Sequence, residues 1–172
     1  MSGKLEVSFN SPQCGWMSIG FRDAHGEFHT TTAHSPHRLA LSQLLQILTS
    51  LSDRDSADNE YILHWNRDPE EFDLRFLRSE RGSILFEVYQ YPTTEREMAE
   101  RELVFSHLGT IDEVSSAFAE TFEQLYRDRE TDEFEFNWRQ PFPLKEFREF
   151  KLRIVPRTGA RDNHGFSTLN NR

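Results

Sequence analysis

The sequence has little cysteine and no long run of apolar residues. Cys14 is the only cysteine, so the chain cannot form an internal disulfide, and we expect it to occupy a reducing compartment. The first residues lack the apolar run of a signal peptide. No stretch approaches the roughly 18 apolar residues of a membrane-spanning helix. We therefore expect a cytoplasmic protein that does not associate with membranes.

Glycine motifs that bind phosphate are also missing. The eight glycines are scattered and form neither a P-loop nor a dinucleotide-binding fingerprint. The Gly-x-Ser-x-Gly turn of serine hydrolases is absent as well. The common nucleotide-binding and serine-hydrolase patterns are therefore excluded, and we expect no cofactor.

Charge is plentiful but unevenly distributed. The net charge is −9, with 13 basic and 26 acidic residues in positions 1–144, against seven basic and three acidic residues in positions 145–172. An acidic body repels phosphate backbones, so nucleic-acid binding by the body is disfavoured. The basic C-terminal segment could contact nucleic acid or the protein's own acidic surface, and the sequence leaves this choice open.

The length of 172 residues suits one domain. We expect a single globular domain over residues 1–155 and a flexible polar tail over residues 156–172. Alternating apolar and polar residues predict antiparallel strands, including one over 133–138. Leucines at helical spacing after Ser35 predict one long helix, and the Thr110–Glu113 capping box begins a second.

These elements define an α+β fold class. We expect a mostly antiparallel, curved sheet with two long amphipathic helices on one face and a short helix over 144–153. The order of elements is (βββ)α(ββββ)α, which is compatible with an internal pseudo-repeat. The alternative is that α+β domains often alternate strands and helices in this way.

Histidines are clustered near the start of the first helix. Imidazole binds zinc, copper and nickel, so His29, His34 and His37 are candidate metal ligands, with His25 nearby. Their spacing matches no established zinc motif. The competing interpretation is that these side chains are solvated or cap the helix. Carboxylates at positions 68, 70, 71 and 73 are read as solvated surface.

Two stretches have the composition of protein interfaces. One is the Trp-Asn-Arg-Asp-Pro-Glu segment, and the other is the aromatic segment that follows Glu133. Exposed aromatic and arginine side chains with a polar rim are typical of interface hot spots. The candidate interface residues are Trp65, Arg67, Asp68, Glu70, Phe136, Trp138 and Arg139. Both stretches could instead be strand ends that pack on each other.

The leading functional hypothesis is a non-enzymatic protein-binding module. In size and charge the chain resembles small acidic bacterial proteins that neutralise toxins or act as adaptors, and complementary charge favours a basic protein partner. A second hypothesis is a small metal- or ligand-dependent enzyme that uses the His25–His37 segment. A third is a structural subunit that associates with itself, for example as a homodimer.

Overall fold

The structure is a computed structural model that describes residues 3–53, 55–79 and 82–154. These residues form seven strands and four helices. In chain order the elements are β1 (Glu6–Phe9), β2 (Trp16–Arg22), β3 (Glu27–Ala33), α1 (Ala40–Leu51), β4 (Glu60–Asn66), β5 (Glu71–Arg78), β6 (Ser83–Tyr91), β7 (Glu102–Thr110), α2 (Ile111–Asp128), α3 (Phe134–Trp138) and α4 (Leu144–Ile154).

Strands β1, β2 and β3 form one antiparallel sheet in that order. Alternate residues of β2 point into the core, where Met17, Ile19 and Phe21 are buried. The turn between β2 and β3 is closed by Asp23, whose carboxylate accepts hydrogen bonds from two following backbone N–H groups. Aspartate favours such turns because its short side chain reaches the backbone two residues further on.

Strands β4 to β7 form a second antiparallel sheet, also in chain order. On β5 the aromatic and aliphatic side chains of Phe72, Leu74 and Phe76 point into the core and are fully buried. Successive side chains of a strand point to opposite faces. Glu71 and Asp73 therefore lie on the side of the sheet away from the core.

Helix α2 links the two sheets because it contacts β1 of the first and β6 and β7 of the second. It begins at the predicted capping box. The Thr110 hydroxyl accepts a hydrogen bond from the Glu113 N–H at 3.1 Å, and the Glu113 carboxylate accepts one from the Thr110 N–H at 3.4 Å. Each bond satisfies a backbone donor that the first helical turn leaves free.

Helix α1 packs against β4 and α4. It begins at Ala40 after the N-cap residue Leu39, with no side-chain cap. The sequence predicted a start near Ser35, which is wrong, because residues 35–39 form turns before the helix. The predicted leucine face is confirmed, since Leu41, Leu44, Leu45, Leu48 and Leu51 are all buried.

The strand predicted over 133–138 is wrong. Phe134 to Trp138 form helix α3, which is flanked by Glu133 and Arg139 in the left-handed region with φ of 49° and 65°. Helical spacing places residues i and i+4 on the same face. Phe134 and Trp138 are consequently both buried, whereas Phe136 points outward.

A cluster of phenylalanine rings joins both sheets to α2. Phe21 of the first sheet lies 5.0 Å from Phe86 of the second, measured between ring centroids. Phe118 of α2 contacts rings from both sheets. Its neighbours are Phe9 and Phe21 of the first sheet and Phe76 and Phe86 of the second. The two sheets therefore share one core rather than forming separate ones.

The predicted α+β class is confirmed, as are the other antiparallel strands and the C-terminal helix, which extends one residue further than expected. The elements also follow the predicted order (βββ)α(ββββ)α. That order does not establish a repeat, so the internal pseudo-repeat stays a prediction. The predicted polar tail over 156–172 lies outside the described residues.

Candidate protein-binding surface on the second sheet

The side of the second sheet that faces away from the core carries most of the features that suggest function. We call this side the outer face. Cross-strand pairing places its side chains in rows, so that Asp73 lies between His64 and Tyr89. The outer face comprises Glu60, Ile62 and His64 of β4, Glu71, Asp73 and Arg75 of β5, and Glu87, Tyr89 and Tyr91 of β6.

Three carboxylates of the outer face are buried, and two of them, Glu71 and Asp73, lie on the same face of β5. Glu71 is 5% exposed and Asp73 is 6% exposed. A buried charge destabilises a fold unless it is paired and hydrogen-bonded. The Arg96 guanidinium supplies the pairing, because its Nη1 donates to Glu71 Oε2 at 2.9 Å and its Nη2 donates to Asp73 Oδ1. The prediction that these carboxylates are solvated is wrong, since Arg96 covers them.

Arg96 is held tightly for a residue in a loop. Its guanidinium lies over the Tyr91 ring, 4.3 Å from the centroid. Its backbone has a φ of 55°, in the left-handed region, which persists only where surrounding contacts compensate for the strain. Burial alone lowers the pKa of Arg96, but the hydrogen bonds to Asp73 and Glu71 outweigh burial and raise that pKa above its ordinary value. The side chain is therefore a permanent cation.

Two histidines border the buried carboxylates. His64 Nδ1 lies 2.6 Å from Asp73 Oδ1 and 2.8 Å from Arg96 Nη2, and His37 Nε2 lies 3.5 Å from Glu71 Oε1. A histidine oriented by a carboxylate can act as a general base when a nucleophile lies beside it. The adjoining groove has no serine, threonine or cysteine among its lining residues. The oxygen-bearing side chains that line the groove are Glu60, Asp73 and Tyr89.

The loop between β6 and β7, residues 92–101, lies against the outer face, and we call it the glutamate loop. Three of its side chains contact the sheet. Arg96 binds the two buried carboxylates, Met98 Sδ lies 3.8 Å from the Tyr91 hydroxyl, and the Arg101 guanidinium lies 4.3 Å from the Tyr89 ring centroid. The other residues of the loop are exposed and include Glu95, Glu97 and Glu100.

A groove of about 310 Å³ opens between the glutamate loop and strands β4 to β6. Met98 and Ile62 line it with apolar surface and are 62% and 46% exposed. The floor is held by Arg75, which donates to Glu60 at 2.5 Å and to Glu87 at 2.6 Å. These bonds raise the pKa of Arg75 above its ordinary value, so the Arg75 side chain stays charged.

The outer face and its borders carry an excess of negative charge. With the β4–β5 turn, the glutamate loop and the start of β7, the surface carries ten acidic and four basic side chains, a formal charge of −6, against −13 for residues 1–144. The acidic residues are Glu60, Asp68, Glu70, Glu71, Asp73, Glu87, Glu95, Glu97, Glu100 and Glu102, and the basic ones are Arg67, Arg75, Arg96 and Arg101.

The predicted interface residues are placed in three different environments. Trp65 and Trp138 are buried and belong to the core, so neither presents a contact surface in this fold. Arg67, Asp68 and Glu70 form the turn at the end of the outer face, where the Arg67 N–H donates to the Glu70 carbonyl at 2.8 Å. The interface role of this turn stays a prediction.

The remaining two predicted interface residues lie on α3, apart from the outer face. Phe136 is 65% exposed, and the Arg139 guanidinium lies 5.0 Å from its ring centroid. An arginine over an exposed aromatic ring contributes about 0.5–1 kcal/mol. The outer face combines exposed apolar side chains with a larger number of charged groups, so it is the stronger candidate surface.

The candidate metal ligands do not meet. The His29 ring lies over Gly20 on the first sheet, where it lines a polar groove of about 360 Å³. His34 packs on Trp138 at 6.1 Å between ring centroids, whereas His29 Nε2 lies 3.6 Å from Glu27 Oε2 and His37 Nε2 lies 3.5 Å from Glu71 Oε1. In the described part of the chain, no three histidine, cysteine or carboxylate side chains are arranged to hold a metal ion.

Sequence reasoning missed Arg96 and Met98, which organise the surface. Arg96 is separated from Glu71 by 25 positions, so no local pattern links the two residues. The one signal available was the high density of glutamates after Tyr91, which marked a charged loop but gave no contact for it.

No protein-family model, curated protein or solved structure matches this chain. In residues 3–53, 55–79 and 82–154, no helix combines the length and apolar character needed to cross a membrane. The functional argument therefore depends on the surface itself.

Proposed function

We propose that this protein is a non-enzymatic binding module that holds a basic protein on its outer face. It acts as a stoichiometric inhibitor of the immunity or antitoxin type, or as an adaptor. The observation that carries this proposal is that an exposed apolar groove lies on a surface with a formal charge of −6.

The anatomy of the surface supports a protein partner rather than a small molecule. Interfaces have an apolar centre enriched in methionine and aromatic residues, surrounded by a polar rim. Met98, Ile62 and Tyr89 form such a centre, and the glutamates of the loop form the rim. The groove is open on its solvent side, which suits a side chain delivered by a partner.

The charge of the surface determines the chemistry of the partner. A field of one sign steers an oppositely charged protein toward the surface and raises the association rate, most strongly at low salt. With a formal charge of −6, the outer face and its borders attract lysine- and arginine-rich surfaces and repel acidic ones. We therefore expect complex formation to weaken as ionic strength rises.

The first experiment compares the natural chain with two charge variants in gentle affinity capture from native cells. The test variant replaces Glu95, Glu97, Glu100 and Glu102 with glutamine. The matched control changes the net charge equally at exposed sites elsewhere, with Glu27, Asp58, Glu120 and Glu130 replaced by the corresponding amides. The captured partner is then purified and its affinity for all three proteins is measured by calorimetry.

We expect a basic partner at one-to-one stoichiometry. The test variant should bind this partner at least about tenfold more weakly than the natural chain does, and the affinity of the control should stay within about threefold of the natural affinity. Truncating Ile62 and Met98 together to alanine is expected to weaken binding by a further factor of about thirty, the loss typical of hot-spot residues. A partner bound equally by all variants, or a self-associated chain that binds no basic protein, would contradict the proposal.

A further inference from the structure

We infer that Glu71, Asp73 and Tyr91 form a guanidinium-binding site, which the Arg96 side chain of the same chain occupies. By occupying this site, Arg96 holds the glutamate loop in its binding position. The role in holding the loop for a partner rests on the proposed function. The site itself does not depend on it, and its test requires no partner.

The geometry matches a guanidinium better than an ammonium group. Glu71 and Asp73 are two residues apart on one strand, so their carboxylates lie side by side on the same face. They accept hydrogen bonds from two different nitrogens of one planar group, Nη1 and Nη2. The Tyr91 ring provides the flat surface below it. Lysine presents a point charge and cannot make this combination of paired bonds and stacking.

Burial makes occupancy of the site important for the sheet. The side chains of Glu71 and Asp73 are 6% and 9% exposed, so an empty site leaves two negative groups close together with little water. The nearest other groups that can be cationic are His37 and His64, each of which faces only one of the two carboxylates. A cation that bridges both carboxylates is therefore strongly favoured.

The loop depends on the same contact. Two other contacts join the loop to the sheet in the described residues. The Met98 thioether lies near the Tyr91 hydroxyl, and the exposed Arg101 guanidinium stacks on the Tyr89 ring. Both are weaker than charge-assisted hydrogen bonds to carboxylates. Loss of the Arg96 side chain should therefore release the glutamate loop while the core of the protein stays folded.

The test is hydrogen exchange, read by mass spectrometry on the peptide that covers residues 92–101. Arg96→Ala should speed exchange in this peptide by about tenfold or more, and Arg96→Lys should give an intermediate value. Peptides from α2 serve as the internal control for folding. The matched variant is Arg101→Ala, which removes an arginine from the same loop without emptying the carboxylate site.

Chemical rescue identifies the ligand of the site. Methylguanidinium chloride at about 50 mM is far below denaturing concentrations, and it should restore slow exchange in Arg96→Ala but not in Arg101→Ala. Sodium chloride at the same ionic strength should restore neither. Unchanged exchange in Arg96→Ala, or equal effects of the two salts, would overturn the inference.

The partner assay separates this inference from the proposed function. If Arg96→Ala frees the loop and weakens binding of the partner by about tenfold, both the inference and the proposed function are supported. If the loop is freed and the partner binds with unchanged affinity, the inferred role of the loop in binding is wrong, but the proposal that the protein is a binding module is not contradicted. If no basic partner exists, the proposed function fails, and exchange and rescue alone decide the guanidinium site.

Discussion

Replacing Phe118 with alanine tests whether both sheets and α2 share one core. The Phe118 side chain is fully buried in the centre of the ring cluster. Its ring centroid lies 6.3 Å and 6.2 Å from Phe9 and Phe21 of the first sheet. It lies 5.8 Å and 5.6 Å from Phe76 and Phe86 of the second sheet.

The expected loss in the free energy of unfolding follows from this burial. Truncating a buried phenylalanine to alanine costs about 3–5 kcal/mol, and each aromatic pair adds about 0.5–1.5 kcal/mol beyond burial. Because four ring contacts are lost and alanine preserves the helix, we expect a loss near the top of the range, about 4–5 kcal/mol. For a chain of this size that corresponds to a fall in Tm of about 8–20 °C.

The assay is urea unfolding followed by far-ultraviolet circular dichroism and by tryptophan fluorescence. The control is Glu120→Ala on the exposed side of α2, where Glu120 forms an exposed ion pair with Lys4 at 3.5 Å. The control should change the free energy of unfolding by about 0.5 kcal/mol or less. A loss below about 1.5 kcal/mol for Phe118→Ala, or separate transitions for the two probes, would refute the shared core.

Two further predictions concern single contacts. The Asp23 carboxylate is buried, which raises its pKa, but hydrogen bonds from His107 and from two backbone N–H groups outweigh burial and lower the pKa below its ordinary value. Asp23 therefore stabilises the fold above about pH 4 and loses this effect as pH falls through its folded-state pKa. The stability difference between the natural chain and Asp23→Asn, measured by urea unfolding, should shrink below about pH 4, and a difference independent of pH would contradict the assignment. Thr110→Ala removes the hydroxyl that caps α2 and should cost about 1 kcal/mol in the same assay, whereas Thr110→Ser should cost little; equal losses would show that the cap bond is unimportant.

The sequence was most informative where the deciding contacts are local. The alternation of Phe72, Leu74 and Phe76 predicted a strand because neighbouring side chains of a strand point to opposite faces. The start of α2 was predicted because the capping box joins residues only three positions apart. The α+β class and the order of the elements followed from such patterns.

The segment over 133–138 shows where a local pattern misleads. Its aromatic residues alternate with polar ones, which favours a strand, yet the first and last of them are also four positions apart, which favours a helical face. Both patterns fit the same residues. Burial of Phe134 and Trp138 against the rest of the core selected the helix, and this contact involves residues far away in the chain.

The candidate surface depended on tertiary structure almost entirely. Composition established an excess of negative charge, and it favoured a basic partner. Only the fold brings Arg96 into contact with Glu71 and Asp73. The fold also buries these two carboxylates, which would otherwise be solvated, and it places the loop beside an open apolar groove. Hydrogen bonds and ion pairs form between groups that lie a few ångströms apart in space. When the partners are far apart in the chain, no periodic pattern in the sequence connects them.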